Sequence, residues 1–84
     1  MEPKHSHRFV EDYDGLVAFG LGREEDEHTL TYYLQKFSDD EHMALIRGRM
    51  SDSDMETLFN LLGRLMKQYL TKEEYHSVFL KDEK

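Results

Sequence analysis

Residues 50–70 read Met50-Ser51-Asp52-Ser53-Asp54-Met55-Glu56-Thr57-Leu58-Phe59-Asn60-Leu61-Leu62-Gly63-Arg64-Leu65-Met66-Lys67-Gln68-Tyr69-Leu70. From Met55 onward the apolar residues recur in steps of three and four, the period of a helix and not of a strand. At roughly 100° per residue, Met55, Leu58, Phe59, Leu61, Leu62, Leu65, Met66, Tyr69 and Leu70 fill an arc of about 180°. Glu56, Thr57, Asn60, Arg64, Lys67 and Gln68 take the other half. An ordinary surface helix needs an apolar stripe of only about 100°. The pattern therefore predicts a central helix at about 52–70, packed by others from two sides. Gly63 lies at the edge of the arc, where another backbone can come close; otherwise it is a tolerated glycine costing about 1 kcal/mol against Ala.

The start of this helix is one of three similar signals. Phe37-Ser38-Asp39-Asp40-Glu41, Met50-Ser51-Asp52-Ser53-Asp54 and Leu70-Thr71-Lys72-Glu73-Glu74 each place a hydroxyl three residues before an acid. The hydroxyl accepts from an orphan backbone N–H, and the acid reaches back to the cap's own N–H. Met50 with Met55, and Leu70 with Tyr75, add hydrophobic staples. A further helix is expected at about 24–37, with acids Glu24 to Glu27 in its first turn and Lys36 in its last, the order its dipole favours. Leu30, Tyr33, Leu34 and Phe37 form its apolar stripe. A shorter helix is expected from about Asp39 to Arg47 or Arg49, stopped by Gly48 at its C′ position. Another at about 72–80 offers Tyr75, Val78 and Phe79.

Residues 9–22, FVEDYDGLVAFGLG, read as a short helix or turn, or as a buried extended stretch; Gly15, Gly20 and Gly22 disfavour a long helix. The fold expected is all-α: a small compact bundle of four helices, with a short fifth as the alternative near the N-terminus. Residues 1–8 are expected as a flexible arm, 9–81 as a single domain and 82–84 as a solvated tail.

Eighty-four residues are expected to make one domain, with no room for a second core. With no cysteine, neither a disulfide nor a thiolate metal site can staple the chain. That suits a reducing cytoplasm. No apolar run reaches the roughly 18 residues that span a bilayer, and Met1 to Arg8 do not resemble a secretory signal. Eighteen acids against 11 Lys and Arg give a net charge of −7, which disfavours phosphate backbones and anionic membranes.

Four histidines follow an acid by three positions: Glu2–His5, Glu25–His28, Asp39–His42 and Glu73–His76. Paired Glu-x-x-His motifs hold two metal ions in some bundles when they all project inward. Here His28 is about 200° from the Leu30 stripe, and His42 and His76 only flank theirs. First-turn acids for the dipole explain the spacing more simply. His5-Ser6-His7 suits at most weak metal contact. Asp12-Tyr13-Asp14-Gly15 and Asp52-Ser53-Asp54 begin like calcium loops, but the required glycine and closing Glu are missing. The helix expected at 39–47 and the central helix outline a helix-turn-helix, yet Asp52, Asp54 and Glu56 would repel the DNA backbone. Gly20-Leu21-Gly22 is followed by four acids and cannot cradle phosphate. No Ser or Thr has the His and acid that nucleophilic catalysis requires.

No catalytic, cofactor-binding or metal-binding residue is therefore assigned. The function expected is a small acidic cytoplasmic protein-protein interaction or regulatory module, with no nucleic acid or membrane partner. The identity of the protein partner is open, and a homodimer is one solution. Its candidate surface is Phe9, Tyr13, Leu16, Phe19, Tyr32, Leu61 and Leu70, with Tyr32 exposed opposite the Leu30 stripe. Two alternatives are a metal-binding helical protein using the acid-x-x-His pairs, and an acidic regulator occupying a basic protein surface.

Overall fold

The computed structural model describes residues 4–82. Of the described residues 68% are helical and none is in a strand, so the protein is a small all-α one. In order come α1 (Arg8–Asp12), α2 (Arg23–Phe37), α3 (Asp40–Ile46), α4 (Asp52–Tyr69) and α5 (Lys72–Glu74). The last continues directly into a π-helical stretch, Tyr75–Leu80. By its internal contacts the chain divides into two units, Met1–Arg49 and Met50–Lys84.

The helix starts follow the caps, with one shift. Thr71 makes the full capping box: Glu74 N–H donates to its hydroxyl at 3.1 Å, and the Glu74 carboxylate accepts from Thr71 N–H at 2.8 Å. Ser51 accepts from Asp54 N–H at 3.0 Å. The third cap is Asp39 rather than Ser38; its side chain accepts from Glu41 N–H. Ser38 is already committed, because its backbone closes α2 onto Leu34 and its hydroxyl meets His7. α2 starts without a side-chain cap, on Gly22, with Glu24, Glu25 and Asp26 in its first turn. Gly48 is not the expected left-handed stop. It has no positive φ and lies in a turn closed by Arg49 N–H onto Ile46.

In the first unit, residues 9–22 are part helix and part loop. α1 ends at Asp12, where Tyr13 turns extended, and the loop runs back along α2. Thr29 secures it: its hydroxyl accepts from Ala18 N–H at 3.2 Å and donates to Ala18 O at 2.9 Å. Gly20, the one described glycine in the left-handed range (φ 97°), donates its N–H to Asp26 at 2.7 Å. The Gln35 amide oxygen accepts from Val10 N–H. These bonds choose which side of α2 is covered. Thr29 is buried, whereas of the expected inward stripe Leu30, Tyr33 and Leu34 are exposed and only Phe37 is half-buried. α2 is only weakly amphipathic, with bulky groups all round, so polar bonds to the loop outweigh the stripe in setting its face.

In the second unit α4 runs essentially as expected, but no described residue from Met50 to Asp82 is buried. Leu58, Leu65 and Met66 are half-buried; Phe59, Leu61, Leu62 and Tyr69 are exposed. Among its own described residues the second unit does not supply the two-sided covering expected for this arc. Lys81, in the left-handed region at φ 57°, ends the chain's last helical stretch, and Asp82 N–H donates to His76 O.

Candidate functional site

The second unit carries an open groove of about 770 Å³. The Thr71 capping box starts the last helix directly after α4, and the groove lies where the two segments meet. Phe59, Leu62, Met66 and Leu70 of the α4 segment form one wall, and Tyr75 and Phe79 the other. The π-helical winding sets those two rings in a stack, centroids 5.4 Å apart and 16° between planes. Lys67 and Lys72 also line the groove, and neither has an ion-pair partner among the described residues. Gly63 is on the same wall, and a Cβ there would meet nothing within 4 Å. Gly63 thus admits no close backbone in the chain as it stands. The arrangement offers an apolar channel edged with positive charge.

The first unit holds a different cluster. Phe9 stacks on Tyr13 (5.2 Å between centroids), and His28 lies 5.9 and 5.5 Å from those two rings. Tyr13 reaches Tyr32 at 5.8 Å, and Lys36 Nζ sits 5.2 Å from the Tyr32 centroid. Tyr32 is thus half-buried under α1, not exposed as its place on the wheel predicted. Residues 4–8, expected as a free arm, are tied in. Glu11 accepts from Lys4 N–H, His5 N–H and the His5 ring. Asp39 accepts from Ser6 N–H at 2.6 Å and from the Ser6 hydroxyl at 3.1 Å. The Ser6 N–H bond holds the Asp39 carboxyl below its ordinary range, outweighing desolvation, which acts the other way. Desolvation also acts to raise Glu11, but its hydrogen bonds to His5 and Lys4 leave it lowered.

Of the sequence-predicted surface, Leu16, Phe19 and Leu61 are exposed, and Leu70 lines the groove. Phe9, Tyr13 and Tyr32 are brought together in the half-buried ring cluster. The acid-x-x-His pairs do not converge. His5 pairs with Glu11, the His42 Nδ1–H donates to Phe37 O, and His76 meets Asp82. Glu2 lies outside the described residues. No cluster of three or more metal-ligating side chains occurs among the described residues. No helix among them is long and apolar enough to cross a membrane. Phe59, Tyr75 and Phe79 are groove residues that the reading of the sequence placed in the core; the excess width of the α4 arc was the signal that some of them face outward. Compared with family models, curated proteins and solved structures, the chain has no match.

Proposed function

We propose that the chain is a small, acidic, cytoplasmic, non-catalytic protein-protein interaction module whose contact surface is the α4 groove. One observation carries this reading. α4 has an apolar arc of nine side chains, yet nothing described from Met50 to Asp82 is buried. Contiguous exposed apolar surface rimmed by polar groups marks interaction sites in soluble proteins. A π-helical stretch beside the groove supports it, since such winding is rare and gathers at functional sites. The net charge of −7 disfavours nucleic acid or an anionic membrane as the occupant. The test is quantitative capture from an extract of the host cell with tagged chain. Wild type retains a defined partner, which includes an untagged copy of itself, and Phe59→Glu releases it. Identical retained sets for wild type and Phe59→Glu would contradict the reading.

A further inference from the structure

We propose that the groove takes the α4 helix of a second copy of this chain, in antiparallel orientation; this rests on the interaction-module reading. On the helical wheel, Asp52, Glu56, Gly63 and Lys67 lie along one flank of the apolar arc, within about 60° of one another. The two acids are at the N-terminal end and Lys67 near the C-terminal end. Lys72 stands just beyond, on the groove wall. None of these four charged side chains has an ion-pair partner among the described residues.

A closed two-fold pair is the commonest solution for a soluble oligomer, and it sets one surface against itself. When the two helices run antiparallel, the same flank of each faces the other. Glu56 then comes level with Lys67 of the second copy, and Asp52 with its Lys72, twice over by symmetry. Met55 and Phe59, on the arc beside these acids, enter the channel walled by Met66, Leu70 and Tyr75 of the second copy. A parallel pair would instead set the acidic ends side by side and align the two helix dipoles. Gly63, with nothing within 4 Å of its would-be Cβ, leaves the second helix room to approach.

Size points the same way. The second unit is 35 residues without cysteine. Units below about 40 residues generally need a disulfide, a metal or oligomerisation to hold together. A second copy supplies the missing burial, and its charge pattern fits this groove.

The test is a charge swap on the full chain, read by sedimentation equilibrium from about 1 to 500 μM. Positions 56 and 67 are exposed, so neither change threatens folding, and circular dichroism checks that the helix content is kept. Wild type is a reversible dimer. Glu56→Lys and Lys67→Glu each weaken the dissociation constant about tenfold, because each puts like charges together twice. The double variant regains wild-type affinity. A monomer at every concentration overturns the inference. So does a dimer that the single changes leave untouched, or one that the double variant fails to rescue. A monomeric chain that still captures a different protein, in a Phe59-dependent way, overturns this inference while leaving the interaction-module reading in place.

Discussion

Thr29 and Phe59 each sit near the middle of a long helix, yet Thr29 is 4% exposed and Phe59 77%. The first unit is held by polar stitches: Thr29 to Ala18, Asp26 to Gly20, Gln35 to Val10 and Asp39 to Ser6. Among its described residues the one buried apolar side chain is Val10. Among the described residues of the second unit no side-chain hydrogen bond spans more than six positions, and its apolar side chains are half-buried or exposed. The contrast teaches that hydrophobicity does not by itself decide what a small helical protein covers. A threonine that satisfies two backbone groups of a loop is drawn inside. A leucine-rich arc with little in its own unit to lie against stays exposed.

The sharpest way to break the comparison is Thr29→Val. It keeps the shape but removes the partner of the Ala18 N–H and C=O at a half-buried position, costing about 1–2 kcal/mol. Thermal melting should show the loss, and hydrogen exchange should place it in residues 8–46. Loss spread equally into α4 would mean that the two units are not separately held.

Thr71→Ala should come next, at about 1 kcal/mol, within the range for a lost N-cap. Its exchange signature belongs in residues 72–80, with the groove opened and α2 unchanged. A melting curve identical to wild type would mean that the capping box does not secure the last helix.

These two residues also show what was legible in the sequence. Thr71, Ser51 and the α4 arc declare themselves locally, because a cap and a 3.6-residue period need only neighbours in the chain. Thr29 does not, since its partner Ala18 is eleven residues away in a loop without a regular pattern. The covered side of α2 was missed for the same reason: Leu30, Tyr33 and Leu34 make a plausible stripe, and only the path of residues 13–22 shows that the opposite side is the one used. Tyr32 was misplaced with it. The groove was half legible. The width of the α4 arc and the Leu70–Tyr75 staple point to it, but which apolar residues remain uncovered depends on tertiary packing that no local pattern encodes.

A smaller effect of opposite sign tests the open wall. Gly63→Ala in the isolated chain should stabilise α4 by about 0.5–1 kcal/mol, because helix propensity improves and the new methyl meets nothing. This is read by denaturant unfolding at a concentration where the chain is monomeric. Destabilisation there would show that another segment already lies against Gly63.

The weakest effect expected is acid loosening of the first unit. Glu11 and Asp39 are lowered from ordinary values of 4.5 and 3.8. A carboxyl lowered in the folded state contributes its stability in full above its unfolded value, and loses it as pH falls through the lowered folded one. Exchange protection at His5, Ser6 and Glu41 should therefore be constant from neutral pH down to about 4.5 and decline below it. Protection that instead rises as the pH falls would reverse the sign and remove these carboxylates from the account.

The most direct measurement of the central claim, that the apolar face of α4 is a contact surface and not an interior, is hydrogen exchange of α4 and α2 at low and high protein concentration. Protection of residues 52–69 should increase with concentration as the face becomes occupied, while that of residues 23–37 stays fixed. High protection of α4 at micromolar concentration, unchanged on raising it a hundredfold, would contradict the claim.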